Sequence, residues 1–113
     1  GIVVGTGNKV EDYGVGFYTK YGDGGVDIAP IADLYKSEVW DLGKSLGVDS
    51  RIIEAKPTDG LWDDGRTDED QLGATYSELE EAMETGKGTG LKVLQEYGRM
   101  NAHKMNPIPT FTL

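Results

Sequence analysis

The chain opens on Ile2, Val3 and Val4, an unbroken apolar β-branched run, and breaks at once into Gly5, Thr6 and Gly7. A strand apolar on both faces is typical of a parallel sheet buried between layers. Such a strand cannot satisfy its own edges. The run therefore points to a layered α/β structure and predicts the later part of a longer protein. Eight of the seventeen glycines fall within the first twenty-five residues. That clustering places tight turns and close backbone approaches at this end of the chain. Val26–Ile28 reads as a second short strand, closed by Pro30.

The remainder reads as helix. From Ile31 to Leu46, Leu34 or Tyr35, Val39, Leu42 and Leu46 fall near helical spacing, with Gly47 as C-terminal cap. "SRIIEA", from Ser50, reads as a short turn. "KPTDGLWDDGRTDED" is expected to be a mobile loop, punctuated by Pro57, Gly60 and Gly65. Thr67 with Asp70, and Thr75 with Glu78, have capping-box spacing. Tyr76, Leu79 and Met83 form one helix face, from which Glu78, Glu80, Glu81 and Glu84 point away. A last helix is predicted over Leu91 to Ala102, with Leu94, Tyr97 and Asn101 on one stripe. Pro107 and Pro109 keep the tail from being helical. Strand, glycine loop, strand and then helices predict a mostly helical segment of an α/β fold with one or two short strands. Ligands in such folds sit beyond the carboxyl ends of the strands. That places them at "GTGNKVED" and "DIAP".

Charge narrows the partners. The 113 residues carry a formal charge of −9, which argues against nucleic-acid binding as the main role. A nucleotide ligand needs only a few cations and stays open. The absence of cysteine rules out disulfides, zinc-thiolate sites and a thiol nucleophile within this chain. No apolar run is long enough to span a membrane, and no basic-then-apolar leader is seen. A soluble, cytoplasmic protein is expected.

Five places could carry chemistry, and three of them read two ways. In "GTGNKVED", the Thr6 hydroxyl with Glu11 and Asp12 supplies the hard oxygens that Mg²⁺ and nucleotide phosphates need. It also fits a strand-to-helix turn with acidic residues at a helix start. In "FYTKYGDGGVD", a glycine turn can present Asp23 and Asp27 to a cationic or amine substrate, beside Lys20. It also fits an Asp-Gly hairpin turn with a solvated lysine. Lys36, at a helix start, reads by itself as a surface lysine on an amphipathic helix. Thr58, in the loop after Pro57, reads by itself as the hydroxyl of a local turn or a helix N-cap. His103 and Lys104 are either an anion-binding pair or cations complementing a helix C-terminus.

Their combination and order decide more than any one of them. "GTGNKVEDYGVGFYTKYGDGGVDIAPIADLYKSEVW", "KPTDGLWDDGRTDEDQLGATYSELE" and "AHKM" resemble NAD synthetase through most of the chain, in the same order and with similar gaps. The most specific stretch is "GFYTKYGDGGVDIAPI". The resemblance implies an ATP pyrophosphatase with an adenine-nucleotide α-hydrolase-like (Rossmann-like) fold, residues 1–113 being the C-terminal portion of one domain. It implies ATP-dependent amidation of deamido-NAD through an adenylated nicotinate, with Mg²⁺ required. Pyrophosphate and AMP are released, and ammonia arrives directly or from glutamine. A homodimer is implied for the full-length protein, with deamido-NAD near its interface.

By position, the resemblance makes Thr6, Lys36 and Thr58 contacts to ATP, and Glu11 the Mg²⁺ ligand. Lys20, Asp23, Asp27, His103 and Lys104 become contacts to deamido-NAD. Asp23 and Lys36 take the catalytic parts. Some members carry "GTDHAAE" where this chain has "GTGNKVE", so Asn8 stands in place of a histidine. The family's "SGGxDS" pyrophosphate loop is expected ahead of Gly1, and this chain alone is expected to be inactive. Another ATP-pyrophosphatase amide ligase and a non-catalytic interaction module are the alternative readings.

Overall fold

The Ile2–Val4 run finds a single neighbour. In the computed structural model, which describes residues 1–113, Val4 forms an isolated parallel bridge with Ile28. Gly5 N–H donates to the Ile28 carbonyl at 2.7 Å, and Ile28 N–H donates to the Val3 carbonyl at 3.2 Å. Ile2, Val3 and Val4 stay 67%, 56% and 52% exposed. The two predicted strands are thus corrected to one bridge, and the predicted burial of the first to exposure. Two short segments bury too little to hold a ladder, which needs three or more strands or a covering helix. Of the expected α/β class, the helical part is visible and the sheet is reduced to this pairing.

The glycine loop leads into a π-helical turn, Val10–Val15. Such turns are rare and concentrate at functional sites. Asn8, only 1% exposed, starts this one. Its Oδ1 accepts the N–H groups of Val10 at 3.0 Å and Glu11 at 3.2 Å, and its own N–H donates to Glu11 Oε2 at 3.2 Å. Gly16 ends the turn at φ 66°. A Cβ there would lie 2.5 Å from Asn101 Cβ. Gly16→Ala is therefore expected to lose about 1–3 kcal/mol, from left-handed strain and overpacking together. A denaturant titration of the full-length protein checks it, and an unchanged midpoint would refute the close packing.

Five α-helices follow: α1 Lys36–Ser45, α2 Ser50–Ile53, α3 Asp68–Leu72, α4 Tyr76–Thr85 and α5 Leu91–Met100. The helix expected from Ile31 begins only at Lys36. The preceding residues make turns instead, with Ala32 N–H on the Ala29 carbonyl and Leu34 N–H on the Ile31 carbonyl. The turn expected at Ser50 is a helical turn, capped by Asp49, whose Oδ1 accepts from Arg51 N–H at 2.8 Å. Both capping boxes form: Thr67 Oγ1 accepts from Asp70 N–H, and Thr75 Oγ1 from Glu78 N–H, each at 3.1 Å. α5 stops short of Ala102, and the chain tightens into a 3₁₀ turn, Ala102–Met105.

The core is Val10, Val15, Leu72, Ala74, Tyr76 and Leu79, with Phe17, Tyr35, Met83, Leu94 and Tyr97 packed on it. The predicted α4 face is the one that is buried. Glu80, expected to point away, instead accepts from Ser37 N–H at 3.0 Å and Ser37 Oγ at 2.7 Å. That pins α4 to the start of α1. Only 13 of 113 residues are buried, and the radius of gyration is 15.2 Å, against about 13 Å for a compact domain of this length. Much apolar surface is left uncovered.

Candidate functional site

Thr6, Glu11, Asp23, Lys36, Thr58 and Asp68 line one cleft of about 360 Å³, with Phe17, Pro57 and Asp59. They come from the glycine loop, the π-helical turn, the aspartate turn, the start of α1, the loop before α3 and the first residue of α3. Five of them are sites expected from the sequence. Asp68 is not.

Glu11 is the hub. Its Oε1 accepts the Tyr76 hydroxyl at 2.7 Å, and Lys36 Nζ lies 3.7 Å from the same oxygen. Lys36 is no solvated surface lysine: its side chain is 19% exposed and its ammonium sits 5.4 Å from the Tyr76 ring centroid. Trp40 meets the same ring edge-on at 6.4 Å. The Tyr76 hydroxyl is also 3.1 Å from Asp68 Oδ2. Burial first, then hydrogen bonding to Glu11, pushes the Tyr76 phenol far above its ordinary range, so it remains a protonated donor.

Asp68 is 7% exposed. Burial raises its pKa above the usual carboxylate value, against the opposing hydrogen bond from Tyr76. Its Oδ1 is buried with no hydrogen-bond partner. No three carboxylate or imidazole groups converge tightly enough to cage a metal ion. The donors present still fit Mg²⁺, which takes one or two carboxylates and leaves its other positions to water and phosphates.

Asp12 lies behind the glycine loop. A Cβ on Gly7 would fall 2.2 Å from its Oδ1, so a side chain there would displace the Asp12 carboxylate. Burial first, then the charges of Glu11 and Asp23, raises the Asp12 pKa above 3.8. The folded state then holds this proton more tightly than the unfolded state. The stability it contributes is full below the unfolded value and is lost as pH rises through the folded one. Asp12→Asn is expected to gain melting temperature relative to the parent as pH rises above the ordinary carboxylate range. Parallel thermal melts test this, and a constant difference would refute it.

The structure sorts the other expected residues into two places. Asp23 Oδ1 accepts from Thr19 N–H at 2.6 Å. The same residue lines both the main cleft and a smaller one of about 190 Å³ floored by Gly5, Gly7 and Gly24. Asp27 lies off both, its Oδ2 accepting from Val3 N–H at 2.7 Å. Lys20 and Lys104 form a reciprocal clasp. Lys20 Nζ donates to the His103 carbonyl at 2.8 Å, and Lys104 Nζ donates to the Gly16 carbonyl at 2.7 Å. Asn101 Nδ2 adds a bond to the Val15 carbonyl at 2.8 Å. Thr58 Oγ1 donates to the Arg66 carbonyl and accepts from Gly60 N–H, so the local turn forms at the edge of the cleft.

Sequence reasoning gave Asp68 no role, and read Asn8 only as the replacement of a histidine and Tyr76 only as part of a helix face. Asn8 with Glu11 has the N-x-x-E spacing of a capping box, which was the available signal. Tyr76 offered a weaker one, since a tyrosine on a core face needs a partner for its hydroxyl.

Residues 1–108 match the NAD synthase family, and the chain belongs to that family. It is 46% identical over 112 residues to the NH(3)-dependent NAD(+) synthetase of Alkaliphilus oremlandii, covering 96% of this chain and 44% of that protein. It is 57% identical over 82 residues to the enzyme of the same name from Archaeoglobus fulgidus, covering 73% and 32%. The structure of NMN synthetase from Francisella tularensis matches with a TM-score of 0.83 at 39% identity, covering 99% of this chain and 47% of that one. The chain thus spans less than half the length of each. The family has a Rossmann-like fold, of which the Val4–Ile28 pairing is the visible sheet. No helix is long and apolar enough to cross a membrane.

Proposed function

We propose that the full-length protein is a ligase that amidates the nicotinate carboxylate of deamido-NAD, using ATP and ammonia, to give NAD, AMP and pyrophosphate. The observation that supports this most is the single cleft shared by Thr6, Glu11, Asp23, Lys36 and Thr58, drawn from five separate segments. In this reading a nicotinate oxygen attacks the α-phosphorus of ATP and the bond to pyrophosphate breaks. Lys36, with Thr6 and Thr58, holds the triphosphate, and the Lys36 ammonium offsets charge growing on the leaving pyrophosphate. Glu11 is the residue that would hold Mg²⁺, which when bound neutralises phosphate oxygens. Ammonia then attacks the acyl carbon, and AMP leaves. Asp23 holds the incoming ammonium and takes its proton. Lys20, Asp27, His103 and Lys104 contact deamido-NAD, across a homodimer. The loop around Thr58 closes over the cleft and excludes water from the acyl-adenylate.

Residues 1–113 make up the C-terminal portion of the domain and are inactive alone, because the remaining length of the relatives supplies the rest of the ATP site. NAD formation by the full-length protein from deamido-NAD, ATP, Mg²⁺ and ammonia tests the proposal. Amidation of a different acid, or ligand binding without turnover, would point to another amide ligase or to an interaction module. Glutamine in place of ammonia identifies the nitrogen donor. The likeness to NMN synthetase favours a second reading, in which the mononucleotide of nicotinate is amidated by the same chemistry. The two substrates assayed side by side decide between them.

A further inference from the structure

We propose that Asp68 is a second carboxylate ligand of the divalent cation that Glu11 holds, with Tyr76 fixing the spacing of the two. This rests on the reading above that a cation accompanies the nucleotide in this cleft.

The starting point is Asp68 Oδ1, a buried carboxylate oxygen with no partner. An unpaired buried carboxylate oxygen is costly, and in a native protein it calls for an ion or a water. Two contacts hold Asp68, one on its backbone and one on its carboxylate. Its N–H donates to the Pro57 carbonyl at 2.9 Å, and its Oδ2 is held at 3.1 Å from the Tyr76 hydroxyl. The single proton of that hydroxyl goes to Glu11 Oε1 in the shorter contact, 2.7 Å. One rigid, buried phenol therefore presents two carboxylates to the same cleft.

Charge balance argues the same way. Glu11, Asp23, Asp59 and Asp68 line the cleft against Lys36 as the sole basic side chain. A triphosphate entering there meets net repulsion unless a cation enters with it. Two carboxylates are too few to cage an ion, as the lack of any three-donor cluster shows. They suffice for Mg²⁺ or Mn²⁺ whose other positions are phosphate oxygens and water. The cation is thus held jointly with the nucleotide and only weakly without it.

The test is Mn²⁺ binding to the full-length protein, followed by electron paramagnetic resonance with and without a non-hydrolysable ATP analogue. Asp68→Asn is expected to weaken Mn²⁺ binding in the ternary complex by at least about tenfold, and Tyr76→Phe by a smaller factor. Asp41→Asn, on the exposed face of α1, is expected to match the parent. Asp68→Cys is expected to shift preference from Mn²⁺ to Cd²⁺, because a thiolate is a soft ligand. Thermal melts without metal establish that each variant is folded. Wild-type-like Mn²⁺ affinity in folded Asp68→Asn, or no Cd²⁺ preference in Asp68→Cys, would overturn the proposal while leaving the ligase reading intact. Failure of the parent to bind Mn²⁺ with nucleotide at all would overturn both.

Discussion

Lys36→Met in the full-length protein is expected to lower kcat for amide formation by about 10²–10³-fold. Lys36 is the sole basic side chain lining the cleft, and its ammonium is oriented by Glu11 at 3.7 Å and by the Tyr76 ring. Methionine keeps the hydrocarbon stem against that ring and removes the charge. The loss should fall on the step in which pyrophosphate departs, since negative charge develops there. Single-turnover release of pyrophosphate is the measurement. If it is unaffected while only the KM for ATP rises, Lys36 binds ground state and transition state equally, and its catalytic part is refuted. Lys36→Arg is expected to restore little, because a planar guanidinium cannot occupy the same point above the ring and beside Glu11.

Leu79→Ala is expected to cost about 2–5 kcal/mol of stability. Leu79 is fully buried and belongs to the cluster that joins α4 to the π-helical turn. Its neighbours are tied by hydrogen bonds: the Tyr76 hydroxyl donates to Glu11 Oε1, and Val10 N–H to Asn8 Oδ1. The cavity therefore cannot collapse cheaply. With a total stability of about 5–15 kcal/mol for a typical protein, the loss is a large share. Because Tyr76 of this cluster holds Glu11 through its hydroxyl, the variant should lose nucleotide affinity before it unfolds. Chemical denaturation and ATP titration on the same sample check both effects. A loss under about 1 kcal/mol would show that this cluster is not the core of the folded protein.

Each structural element that was legible in the sequence was encoded within a few residues. Thr67 with Asp70 and Thr75 with Glu78 could be read as helix starts because a capping box spans one turn. The apolar face of α4 could be read because 3.6-residue spacing repeats locally. The family could be read because its motifs stand in order along most of the chain, and residues 1–108 match it. The strands at Ile2–Val4 and Val26–Ile28 failed for the opposite reason. A parallel strand takes its stability from neighbours distant in sequence, and here only the Val4–Ile28 bridge forms.

The amino-acid sequence by itself determined α4 and its cap, the Thr67 cap of α3, the acidic balance and the order of the site residues. Tertiary structure alone decided which of those residues meet. It placed Lys36 over Tyr76 and beside Glu11, set Asp68 on the other side of the same hydroxyl, and turned Lys20 and Lys104 into a clasp between two ends of the chain. Spacing along a chain fixes the direction of a side chain relative to its own helix or turn. The distance from Glu11 to Tyr76, 65 residues apart, is fixed only when the core closes between them.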